Sequence, residues 1–491
     1  MPRKTRPAKT TPDASTKLVS ARPKKSRRFR PLRWLLIGLG LVSVATVSAT
    51  TGALLALSLS NPTLSQRELS PEEAAQFNQN GDEPVVEGGL QFPRLTRPVN
   101  ILLLGIKVIT SDVDDELTEK YGYHALVNSF EGLSDTMLLL RFDPTTKRMS
   151  MLSIPRDTRT WVEGLGTTKI NAANGYGGPA LSAKATSELL GGIPIDRYIR
   201  INVQGVEKLI DVLGGITVHV PQDMKYQDDS QHLYINLKQG RQHLDGAQAL
   251  QFLRFRYDAY GDIGRVQRQQ MAIRALKEQA LNPATLLKLP QILSTIREHI
   301  DTNLSVEEIA ALAGFGAQVG RDRTQMLMLP GEFGDVDQYG GVSYWLPYKR
   351  RIAQVMAEHF DFGEVDDERR RSAFRSRIII QDSTGDPEAV QRLIEQLQTA
   401  GFRRVYRPRE WSEPLTSSRI VAQNGDAIAA EAVRAAMGVG EVRVDSTGHL
   451  ESDITIQLGQ DWINQAEPPD LSGDDLSGDE ASALETETLN F

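Results

Sequence analysis

Residues Val99-Asn100-Ile101-Leu102-Leu103-Leu104-Gly105 form an almost unbroken apolar run of strand length. A strand written this way is buried on both faces, as in a sheet covered by helices. Downstream, Met137–Phe142 and Met149–Ile154 read as two further strands, joined by the turn Asp143-Pro144-Thr145-Thr146. The pattern then predicts helices at Ala180–Leu190 and Gln204–Leu213, a strand at Ile216–Val220, a polar loop near 222–240 and a helix at Gly246–Gln251. Strands and helices interleave, so the expected class is α/β, a layered sheet covered by helices over residues 98–360.

Working outward, residues 361–376 form a charged linker, centred on Asp366-Asp367-Glu368-Arg369-Arg370-Arg371. Residues 377–460 then read as a small α+β domain of β-α-β-β-α-β order, with strands at Arg377–Gln381, Val405–Arg407, Ser418–Ala422 and Ile454–Leu458. Its expected helices are Pro387–Ala400 and Ala427–Met437. Residues 461–491 carry nine acids and no base, the composition of a disordered tail. Upstream, residues 61–97 are polar and Pro/Gly-rich and read as a stalk. Residues 34–60 carry no charge and are long enough to cross a bilayer. Twelve Lys or Arg precede them within 1–33, against the single acid Asp13. The positive-inside rule therefore predicts a single-pass plasma-membrane protein, N-terminus in the cytoplasm and the bulk in the periplasm or extracellular space. A cleaved signal ending near Val47-Ser48-Ala49 is the competing reading.

The chain has no cysteine, which excludes thiolate nucleophiles, disulfides and cysteine-held metals, and its seven histidines include no HxH or HExxH pair. There is no GxxxxGK[ST] loop and no GxSxG elbow, so ATPase and serine-hydrolase readings lose their support. Topology and anionic lipid explain the basic tail without nucleic acid as a partner.

Charge concentrates in four segments: Ser134-Asp135-Thr136, Ile154-Pro155-Arg156-Asp157, Lys169-Ile170-Asn171, and Phe252-Leu253-Arg254-Phe255-Arg256-Tyr257 followed by Gly261-Asp262-Ile263-Gly264-Arg265-Val266-Gln267-Arg268-Gln269. Gly175-Tyr176-Gly177-Gly178, after the third, reads as a loop. As a strand, the fourth would project Arg254 and Arg256 on one face, about 6–7 Å apart. Asp262 would cap a helix bearing Arg265, Arg268 and Gln269 on one side. Guanidinium forks bind phosphate oxygens in pairs, so several of them converging fit a pyrophosphate. Asp135 and Asp157 stand at strand edges, where a carboxylate can hold Mg²⁺ against phosphate or accept a proton, and Lys169 can neutralise phosphate. A single arginine of this set is more commonly a salt-bridge partner; it is the combination that points to an anion site.

In order, LSDTMLLL, MSMLSIPRDT, KINAANGYGG, LIDVLGGITVHV, LDGAQALQFLRFR and GDIGRVQRQ resemble the LytR-CpsA-Psr family, also labelled cell-envelope-related transcriptional attenuators, over residues 98–285. Residues 377–460 resemble its LytR-type C-terminal domain. The resemblance implies a phosphotransferase that moves a glycopolymer from a polyprenyl-pyrophosphate carrier to peptidoglycan, using Mg²⁺ or Mn²⁺. It implies a pyrophosphate site from Arg156, Arg254, Arg256, Arg265 and Gln269, with Asp135 tied to the metal. One departure stands out: where the family carries GxD, this chain has Gly105-Ile106-Lys107, with Asp112, Asp114 and Asp115 further on. An envelope scaffold that binds glycan or lipid carrier, and a lipid pyrophosphatase, are the other readings.

Overall fold

The structure is a computed structural model; it describes residues 64, 67–77, 84–87, 93–107, 130–228, 233–255, 261–280, 285, 288–320, 323–364, 373–411, 413–449 and 451–464. The expected membrane segment at 34–60, the basic tail, the acidic tail beyond residue 464 and the core of the charged linker lie outside these residues. The start of the expected tail is ordered instead, a short helix Gln460–Ile463 with Trp462 buried. No helix among the described residues is long and apolar enough to cross a membrane.

The chain from 99 onward builds β1 (Val99–Lys107), β2 (Leu133–Asp143), β3 (Arg148–Ile154), the hairpin β4–β5 (Arg159–Val162, Gly166–Lys169), α1 (Ala172–Leu189), β6 (Arg197–Asn202), α2 (Gly246–Arg254), α3 (Gly261–Ala280), β7 (Ile300–Thr302), β8 (Thr324–Met328), the hairpin β9–β10 (Gly331–Phe333, Trp345–Pro347) and α4 (Lys349–Phe360). The main sheet has the order β7-β6-β1-β2-β3-β8. β1 pairs antiparallel to β2 and parallel to β6, and β8 runs parallel to β3.

The apolar run of β1 is explained by burial on two sides. Leu102, Leu104 and Ile106 join a core with Leu139, Leu152 and Phe360. Val99 and Ile101 join a different core with Leu138, Met151 and Leu312. Alternate residues of a strand point to opposite faces, so each face supplies its own layer.

Several expectations are corrected. The supposed polar loop near 222–240 contains an antiparallel hairpin, Met224–Asp228 with Leu233–Leu237. Its alternation of Ile235 and Leu237 inward with Tyr234 outward is short and is flanked by polar residues, which masked it. Gly175–Gly177 is helical, not a loop: α1 starts at Ala172 and breaks at Gly178, which adopts φ 69°. The stalk reading of 61–97 fails where the segment is described. Ser70 and Glu73 form a capping box on helix Pro71–Ala75, and Phe77 is buried with its ring 5.1 Å from that of Tyr198. Leu64 and Val85 are buried as well, so a few apolar residues tie a polar segment down.

The C-terminal domain comprises β11 (Ile378–Asp382), α5 (Pro387–Thr399), β12 (Val405–Glu410), β13 (Arg419–Ala422), α6 (Ala427–Met437), β14 (Glu441–Arg443) and β15 (Ile454–Leu458). Its sheet order is β12-β11-β15-β13-β14, one strand more than expected, with α5 and α6 packed on a shared core. The domain docks on the edge strand β8. Met326 N–H donates to the Val444 carbonyl and Ser446 N–H to the Met326 carbonyl, both at 3.0 Å. Arg274 of α3 meets the buried Asp445 at 2.5 Å.

Candidate active site

The β1–β2 register jumps from Gly105↔Thr136 to Ile106↔Ser134, which leaves Asp135 as the extra residue of a β-bulge. Bulges re-aim side chains beside functional sites. A side chain at position 105 would bring its Cβ to 3.0 Å from that of Thr136, so the glycine keeps this crossing close. The Asp135 carboxylate accepts from Arg156 Nη1 at 2.7 Å.

Arg156 and Asp157 occupy the turn after β3. That turn is fixed from both sides: Thr158 N–H and Oγ1 donate to the Pro155 carbonyl, Ile170 N–H to Thr158, Asn171 N–H to Arg156, and Trp345 N–H to Asp157. The Asp157 carboxylate binds Lys169 Nζ at 2.7 Å and lies 3.5 Å from Arg156 Nε. Lys169 stands above the Tyr344 ring, 5.9 Å from its centroid. Opposite, α3 brings Arg265, which is buried, and Gln269, whose amide donates to Thr136 Oγ1 at 2.8 Å.

Asp135, Arg156, Asp157, Arg265 and Gln269 thus line one pocket, together with Met137, Ile154, Phe333 and Trp345. Lys169 touches it through Asp157. Among the described residues, three cations (Arg156, Lys169, Arg265) and two carboxylates (Asp135, Asp157) gather here. Phe333 and Trp345 carry no signal in the sequence. They come from a hairpin more than 170 positions beyond Arg156, and lone aromatics form no motif.

The expected arginine strand is corrected. Residues 252–254 are the last turn of helix α2, capped at its start by Asp245 and Gln248. Ala249 and Phe252, three apart, both face the core, and this helical spacing holds as far as Arg254; Phe255 is already extended, and residues 256 and 257 lie outside the described residues. Arg254 therefore ends a helix and is not among the residues lining the pocket, and Arg256 and the side chain of Asp262 lie outside the described residues. Arg268 donates to the carbonyls of Phe252 and Phe255, closing the end of α2 rather than facing the pocket.

Among the described residues no group of three His, Cys, Asp or Glu could hold a metal ion. The side chain of Lys107 and the residues Asp112, Asp114 and Asp115 are not described. Mg²⁺ commonly takes one or two carboxylates and completes its shell with phosphate and water, so the Asp135 carboxylate suits a metal that arrives with phosphate.

A family model for the LytR_cpsA_psr family matches residues 61–361, and a second, described as LytR cell envelope-related transcriptional attenuator, matches 375–462. The polyisoprenyl-teichoic acid–peptidoglycan teichoic acid transferase TagU of Oceanobacillus iheyensis is 33% identical over 267 residues, 53% of this chain and 74% of that protein. The transferase TagV of Bacillus subtilis, of the same description, is 33% identical over 47% of this chain and 61% of its own length. The crystal structure of B. subtilis TagV aligns at a TM-score of 0.45 and 29% identity, covering 55% of this chain and 99% of that one.

Proposed function

The chain belongs to the LytR_cpsA_psr family, and we propose that it is a membrane-anchored phosphotransferase that moves a glycopolymer from a polyprenyl-pyrophosphate carrier to peptidoglycan. Relatives named as transferases, 33% identical over about half the chain, support an enzyme of that class. The observation that carries the reading is the pocket where Arg156, Arg265 and Gln269 converge on the bulged Asp135.

In the proposed reaction an acceptor hydroxyl attacks the glycan-side phosphorus. A new P–O bond forms, the bond to the bridging oxygen breaks, and lipid monophosphate leaves with that electron pair. The hydroxyl proton ends on the departing phosphate or in water. Arg156 and Arg265 lie against the oxygens where charge grows, and Lys169, held by Asp157, adds a third cation. Asp135 would hold Mg²⁺ or Mn²⁺, which neutralises charge on the phosphates. Asp157 acts by positioning: its two oxygens hold Lys169 and Arg156 in register. The uncharged run at 34–60, preceded by twelve basic residues, supports a reaction at the outer face of the plasma membrane.

The test follows release of lipid phosphate and appearance of peptidoglycan-linked polymer. Arg156→Ala is expected to lower both by about 100-fold or more, the usual cost of one charge-stabilising donor, and chelation of divalent metal to stop both. Normal transfer by Arg156→Ala overturns the assignment. Release to water without polymer transfer marks a pyrophosphatase, and binding without release marks a scaffold.

A further inference from the structure

Phe333 and Trp345 line two clefts at once. One is the pocket described above. The other, of about 720 Å³, runs between the catalytic unit and the C-terminal domain, from Glu332 and Arg351 on one wall to Arg377, Asn424 and Glu451 on the other. That lies within the roughly 300–1,000 Å³ of common ligand sites.

We propose that this inter-domain cleft seats the acceptor glycan strand and leads its hydroxyl to the pocket, an inference that rests on the transferase reading. The wall the clefts share is aromatic: the Phe333 and Trp345 rings meet edge to face at 5.3 Å, and Phe333 is half exposed. An exposed ring face suits the apolar C–H face of a sugar. The remaining lining supplies the amide of Asn424 and charges of both signs, Arg351 and Arg377 against Glu332 and Glu451. That balance matches hydroxyl, acetamido and zwitterionic peptide groups. It gives no net attraction to a polyanionic polymer, and its polarity excludes a lipid tail.

The far wall is held firmly. Asp445, buried in the C-terminal domain, pairs with Arg274, and Gln267 donates to the Gly448 carbonyl at 2.7 Å. Gln423 accepts from Gly448 N–H at 2.9 Å, bracing the loop beside Asn424. Helix α3 therefore carries Arg265 and Gln269 toward the pocket and Gln267 and Arg274 toward the cleft wall, so the two sites are fixed to one element.

The experiment titrates short, uncrosslinked peptidoglycan strands into the full chain by calorimetry, and a soluble prenyl pyrophosphate in parallel. Arg377→Ala/Asn424→Ala is expected to weaken glycan binding at least 10-fold and leave pyrophosphate affinity unchanged. Glu451→Ala, an exposed position, gives the same readout should the double variant fold poorly. The proposal is overturned by three results: no saturable strand binding by the unaltered chain, equal affinity in the cleft variants, or displacement of the strand by lipid-free donor polymer. A chain that binds strands through these residues yet releases no lipid phosphate keeps the cleft and removes the transferase reading.

Discussion

Arg200 and Asp301 meet at 2.5 Å with 3% and 0% of their side chains exposed, whereas Arg156, Asp135, Asp157 and Lys169 keep between 12% and 30%. The same residue types serve two ends. Inside, Arg200 also donates to the Phe130 carbonyl and lies over the Phe130 ring, so every partner is protein. At these four side chains solvent reaches the charges, and a phosphate can replace a carboxylate at little cost in packing; Arg265 beside them is buried. A buried ion pair is therefore a fixture, and a half-exposed one is exchangeable.

The largest expected effect separates these clusters by stability. Asp301→Ala strands a buried guanidinium and is expected to cost about 3–5 kcal/mol, whereas Asp135→Asn at the pocket should cost within about 1 kcal/mol. Chemical denaturation of both variants checks this, and equal costs would erase the distinction. Next, Lys169→Ala removes a charged interaction worth about 1.5–3 kcal/mol, hence a fall in kcat/KM of roughly 10- to 150-fold. Gln269→Ala removes a neutral donor worth about 1 kcal/mol, or roughly 5-fold. A reversed ranking would mean that positive charge is not what the pocket supplies.

The smallest effect concerns pH. Burial, then the adjacent Lys208, lowers the His299 pKa below its ordinary value. Lys208 Nζ lies 2.6 Å from His299 Nε2, so the imidazole accepts there and must be neutral. The unfolded chain binds the proton more readily, so the stability held above the unfolded pKa of about 6.5 is lost as pH falls below it. His299→Gln should flatten the melting temperature between pH 7 and 5; an unchanged slope would assign the acid sensitivity elsewhere.

How much of this is legible in the sequence follows from how local each signal is. β1 to β3 can be read because burial on both faces leaves an unbroken apolar run, and the 143–146 turn carries its own Pro and Asp. Asp135, Arg156, Lys169, Arg265 and Gln269 stand out as charged or polar groups beside apolar strands or on one helix face. The bulge that aims Asp135 depends on pairing with Gly105, which no local pattern encodes. Up to Arg254, the alternation read from the sequence competes with helical spacing, and only the core packing of Ala249 and Phe252 decides for the helix there. The aromatic wall of Phe333 and Trp345 depends on tertiary approach alone.

The most direct test of the pocket's charge is calorimetric titration of a soluble prenyl pyrophosphate into the full chain and into Arg156→Ala/Arg265→Ala. Removing two charged hydrogen-bond donors, each worth about 1.5–3 kcal/mol, predicts binding weakened by roughly 100-fold or more, with the fold intact. Undiminished affinity in a folded double variant would contradict the account.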